Sequence, residues 1–181
     1  MFNQSPKLPP TPEPIRAVRA DLAVHLRGPH TTEAVCMARS VLLVMPSARI
    51  RISHPQPAYA AYTAWSEALP LAAELFGTNP DTRPHVPEPG ADIAGHLHFA
   101  SEVRAASVDA FTAVASPTGT PQIRVHLGGL LIIAADAEAV ISQASVWTTA
   151  YRHAAQLWPE LPPLASLDTP RTIAQPVNAA A

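Results

Sequence analysis

The sequence predicts an α+β protein of two related units, each a small antiparallel β-sheet (a hairpin) followed by a covering α-helix, packed with pseudo-twofold symmetry. Three observations carry this expectation. Prolines cluster at 6–14, 80–89 and 159–170. Each proline fixes φ and removes an amide donor, so these stretches favour extended chain over packed elements. They divide the 181 residues into a disordered Pro-rich tail (1–14), a first unit (15–77), a Pro-rich linker (78–90), a second unit (91–158) and a Pro-rich C-terminal tail (159–181). Second, ADLAVHL at 20–26 matches ADIAGHL at 91–97 at five positions, including His25 on His96. Third, 41–77 lies over 123–159 without a gap at an offset of 82, so that Ile50 falls on Ile132, Trp65 on Trp147 and Ala68 on Ala150. Two blocks recurring in one order, with their hydrophobic pattern, are the mark of an internal duplication.

In the first unit, TTEAVCMARSVLL is compatible with helix or strand, which leaves 32–45 open. Val41–Met45, the turn Pro46-Ser47 and Ala48–Ser53 predict a hairpin. Tyr62, Trp65, Leu69, Ala72 and Phe76 recur at helical spacing, with Pro57 in the first turn. Pro70 falls inside that helix, where a proline kinks the axis at a cost of about 3 kcal/mol. In the second unit, residues 96–115 contain short alternating runs that predict one or two strands. Ile123, Val125 and Leu127 then alternate with Arg124 and His126, and Gly128-Gly129 supplies a turn before LLIIAA. Asp136 is placed to cap a second helix whose stripe is Ala144, Trp147, Tyr151, Ala154 and Trp158. A unit of this size has a marginal core alone, and two packed together remedy that.

Composition narrows the classes. Apolar residues make up 48% and charged residues 14% of the chain, too apolar for disorder throughout. The single cysteine, Cys36, excludes an intramolecular disulfide or a Cys-rich zinc site and favours a reducing compartment; its apolar surroundings suggest a small core residue. No run has the length of a membrane span and the N-terminus lacks the apolar stretch of a signal peptide, so the expected location is cytoplasmic. Lys7 is the only lysine among twelve basic residues, a bias expected of a GC-rich bacterium. The net charge of −2 divides into +4 over 1–56 and −6 over the rest, a basic lobe joined to an acidic one. A pI near 6.4 speaks against a dedicated nucleic-acid binder.

The sharpest chemical pattern is Gly90-x5-His96-x-His98-x3-Glu102. On a strand, His96 and His98 share a face and Glu102 offers a third, oxygen ligand. The spacing is similar to the first metal-binding motif of the cupin family, and that resemblance implies a metal held by His96, His98 and Glu102. It ends there: Asp109 stands where the motif has glycine, and Pro117-Thr118-Gly119 leads to no second-motif histidine. No G-x-S-x-G, H-E-x-x-H, P-loop or G-x-G-x-x-G pattern occurs.

A difference between the copies points elsewhere. Arg49 and Arg51 alternate with Ile50 and Ile52, giving a basic sheet face, whereas the matching Leu131 and Ile133 are apolar and require cover from the chain or from another subunit. The reading is a non-enzymatic binding or assembly protein acting through protein–protein contacts. It is a homo-oligomer without cofactor or membrane, with Arg49, Arg51, Leu131 and Ile133 as partner-binding residues. The alternatives are a metal-dependent enzyme using His96, His98 and Glu102, and a nucleic-acid binder using Arg16, Arg19, Arg27, Arg49 and Arg51 of the first unit.

Overall fold

A computed structural model describes residues 21–77, 95–103, 106–111 and 121–164. The tail 1–14, the linker 78–90 and the C-terminal tail beyond 164 lie outside the described residues, as do Arg16 and Arg19. The first half forms β1 (Leu22–Leu26), β2 (Glu33–Met37), β3 (Ser40–Met45), β4 (Ala48–Ile52) and α1 (Pro55–Phe76). The second repeats the order as β5 (Gly95–Phe99), β6 (Ala106–Phe111), β7 (Gln122–Leu127), β8 (Leu130–Ala134) and α2 (Ala137–Leu157). The doubled α+β architecture is therefore present, and the open segment 32–45 is two strands.

The first strand of each half is exchanged. Sheet I runs β2-β3-β4-β5 and sheet II runs β1-β8-β7-β6. The β2-β3-β4 and β6-β7-β8 meanders are antiparallel, while β5 joins β4, and β1 joins β8, in parallel. Both sheets are thus mixed. Matching backbone bonds frame the two parallel pairs: Leu22 N and Gly95 N donate to Gly129 O and Ser47 O, and Ala135 N and Ser53 N donate to Leu26 O and Phe99 O. This register makes Leu22 equivalent to Gly95 and His25 equivalent to His98. The heptapeptide match had set His25 on His96, two residues out of step. Residue identities set that alignment, whereas ladder hydrogen bonds determine the pairing. The two sheets adjoin through β1 and β5, where Leu22 Cδ1 fills the space that a Cβ at Gly95 would occupy.

Alternation builds the inner faces. Val41, Leu43, Met45, Ala48, Ile50 and Ile52 of sheet I are buried, and so are Ile123, Val125, Leu127, Leu130, Ile132 and Ala134 of sheet II. The hairpin turns place their positive φ at different positions: Ser47, at φ 63°, comes second after Pro46, while Gly128, at φ 56°, comes first in its turn. These are the φ signs of type II and II′ turns respectively.

The helices also cross over. Helix α1 packs mainly on β6 and β7, and α2 on β2 and β3, so each helix covers strands of the other half rather than its own hairpin; α1 and α2 pack on each other. Strand exchange and helix exchange together tie the halves into one core containing Trp65 and Trp147, each 1% exposed. Tyr151 joins the helices by stacking on Tyr62 at 4.9 Å and lying 6.2 Å from Tyr59, and its hydroxyl donates to Pro162 O. Burial, with Tyr59 and Tyr62 acting in the same direction, pushes the Tyr151 phenol above the usual tyrosine range. Pro70 sits at an exposed position within an uninterrupted α1.

Each crossover between sheets is latched to a helix start. After β1, Gly28 N donates to Asp136 Oδ2 (2.6 Å), while Asp136 Oδ1 caps α2 by accepting from Ala139 N (2.8 Å). His30 Nδ1–H donates to Gly28 O (3.0 Å), Gln143 Nε2 donates to His30 Nε2 (2.8 Å), and Trp147 Nε1 donates to Gln143 Oε1 (3.2 Å). After β5, the Gln56 side chain clasps Val103, accepting from its N (2.8 Å) and donating to its O (3.2 Å). His54 caps α1, its Nδ1 accepting from Gln56 N at 3.3 Å.

Candidate partner-binding face

The exchange of β5 into sheet I creates a surface that neither half contains alone. On a pleated sheet, residues directly opposite each other share a face. The register sets His96 beside Arg49 and His98 beside Arg51, all four exposed, on the side away from the core. Neighbouring strands lie about 4.8 Å apart and same-face residues about 6.6 Å apart along a strand, so these four side chains rise from a compact rectangle. Arg51 Nε donates to Ser40 Oγ (3.2 Å), and His98 Nε2 and Ser53 Oγ share a hydrogen bond (2.9 Å). Two of the four are therefore held in position by serines. Among the described residues no carboxylate lies within 4.0 Å of Arg49 or Arg51.

The other half of this face is apolar. Leu42 and Val44 lie opposite Arg51 and Arg49, and beyond them β2 presents Glu33, Val35 and Met37. Val35 is 37% and Met37 44% exposed, and with Leu69 and Ile141 they are the exposed large hydrophobics among the described residues. Cys36 is exposed on the same edge strand, not in the core: β2 ends the sheet, so its inward side has no further strand beside it.

On sheet II the pattern is inverted. Arg124 and His126 occupy the places of Leu42 and Val44, and Leu131 and Ile133 those of Arg49 and Arg51. Leu131 is half-buried and Ile133 is 7% exposed within the chain. The four residues singled out from the sequence therefore divide: Arg49 and Arg51 face solvent together, while Leu131 and Ile133 lie side by side on the other sheet. The neighbourhood of His96 and His98 was not legible from the sequence, because the parallel pairing of β4 and β5 joins segments on either side of the linker.

Glu102 is exposed beyond the end of β5, and no group of three His, Cys, Asp or Glu among the described residues is placed to hold a metal. Fixed guanidinium charge beside both imidazoles also repels a cation. No described helix is long and apolar enough to cross a membrane. Comparison with protein-family models, curated proteins and solved structures finds no match.

Proposed function

We propose that the protein is a non-enzymatic, cytoplasmic binding protein of a GC-rich bacterium, whose sheet I face receives an acidic, partly apolar segment of another protein. The observation that carries this reading is the exposed group Arg49, Arg51, His96 and His98, whose arginines have no carboxylate within 4.0 Å among the described residues, set against Leu42, Val44, Val35 and Met37. Arginine and methionine are enriched where proteins meet, and a basic patch attracts an acidic partner. The apolar half of the face and its short basic span favour protein over nucleic acid, whose binders carry a longer basic stripe.

The test is fluorescence anisotropy with a labelled peptide of alternating Glu and Leu. Salt-sensitive binding that is lost in Arg49→Glu/Arg51→Glu, with an alternating Lys and Leu peptide inert, supports the reading. Tighter binding of a single-stranded oligonucleotide would transfer the face to nucleic acid. Zinc uptake by chelator-free protein, abolished by His96→Ala/His98→Ala, would revive the metal reading.

A further inference from the structure

Among the described residues, strand β2 is a sheet edge that carries no lysine, proline, bulge or mid-strand charge. Native edges are blunted by lysine, proline, bulges or a charge near mid-strand. The sequence of β2 is EAVCM, with Val35 at its centre, and it pairs with β3 through a regular five-residue register. The outermost strand of sheet II among the described residues is β6, where the sequence position equivalent to Val35 is Asp109. One edge thus carries a charge at mid-strand and the other a hydrophobe. Val35 and Met37 are exposed on the outer side of β2, and Ile141, 51% exposed, comes from α2, the helix that packs on β2.

The ends of this edge are charged oppositely. Glu33 opens the strand and Arg39 stands in the turn that follows Met37; both are exposed, and neither has an ion pair among the described residues. A strand that is acidic at one end, apolar in the middle and basic at the other is complementary to itself when reversed. We infer that β2 pairs antiparallel with the β2 of a second copy, about a twofold axis at Val35, joining two sheets I into one of eight strands. Val35 then faces the partner's Val35, and Glu33 faces the partner's Met37. The partner's Arg39 lies one step beyond, at a diagonal separation of roughly 7–8 Å that a guanidinium side chain spans. The two Glu33 side chains stay at opposite ends, so no like charges meet. The pairing runs through the backbone edge of β2, whose Val35 and Met37 side chains also border the basic face, and the inference does not depend on an acidic partner.

Light scattering coupled to size exclusion on the full chain tests it. The expected result is a dimer of the 19.2 kDa chain. Val35→Lys, which sets like charges on the axis at a solvent-facing site, is expected to give a folded monomer. Glu33→Arg and Arg39→Glu are each expected to weaken the dimer, and the double reversal to restore it. Oxidation of Val35→Cys/Cys36→Ser is expected to cross-link two chains. A wild-type monomer at high concentration overturns the inference, as does a dimer that Val35→Lys leaves intact. A dimer lost in Arg49→Glu/Arg51→Glu but kept in Val35→Lys overturns it by moving the contact to the sheet face.

Discussion

Val41, Leu43, Met45, Ala48, Ile50 and Ile52 on the core side of sheet I correspond in order to Ile123, Val125, Leu127, Leu130, Ile132 and Ala134 of sheet II, and every one is buried. On the opposite side the correspondence is one of replacement: Leu42 and Val44 against Arg124 and His126, and Arg49 and Arg51 against Leu131 and Ile133. The inner face answers to packing, which both halves share. The outer faces differ in burial, Arg51 being exposed where Ile133 is buried, so the two sheets carry different chemistry there on the same frame. The tryptophans show a milder form of this divergence. Trp147 Nε1 reaches Gln143, whereas at Trp65 the equivalent place is Ala61 and the buried Nε1 has no partner among the described residues.

That comparison can be broken most visibly at the tryptophans. Trp65→Ala and Trp147→Ala are each expected to destabilise by about 3–5 kcal/mol, the range for a buried aromatic. Trp147→Ala is expected to be the larger because it also leaves the buried Gln143 carbonyl without its donor. Urea unfolding of both variants measures this, and the reverse order would remove the distinction. Exchanging outer-face residues comes next. Ile133→Arg places an unpaired charge at a buried site and is expected to cost about 2–3 kcal/mol, whereas Arg51→Ile at the equivalent exposed site is expected to cost about 1 kcal/mol, for the lost hydrogen bond to Ser40. Similar losses at both would show that the two outer faces are built alike.

The helix caps sharpen the contrast further. Asp136→Ala removes a cap and the Gly28 latch together, an expected loss of about 2 kcal/mol, against less than about 1 kcal/mol for His54→Ala. The smallest effect is alkaline. The folded state holds the Tyr151 phenol protonated to higher pH than the unfolded chain does. The stability it contributes is therefore complete below the unfolded tyrosine pKa of about 10 and is lost as pH rises through the folded value. Tyr151→Phe is expected to flatten that decline, measured by urea midpoints across the alkaline range. An unchanged slope would contradict it.

Much of the frame was legible in the sequence, and the reason is periodicity. The offset joining Trp65 to Trp147 located both helices, Gly128-Gly129 and Pro46-Ser47 located both hairpin turns, and Asp136 is the cap it was expected to be. What escaped was long-range pairing. Nothing local in ADLAVHL states that β1 joins β8 in parallel, and nothing in GHLHF places His96 beside Arg49. Parallel partners share no turn, so their register is recorded only in the sheet. The segment EAVCM misled for a related reason: its composition suits a core, but its place at the sheet edge exposes Val35, Cys36 and Met37.

The exchange of first strands underlies both the assembled basic face and the shared core, and nuclear Overhauser contacts in isotope-labelled protein test it directly. Backbone contacts from Leu97 to Ile50 and from Val24 to Ile132 are the expected result. Contacts from Leu97 to β8, or from Val24 to β4, would show each half keeping its own first strand and would contradict the account.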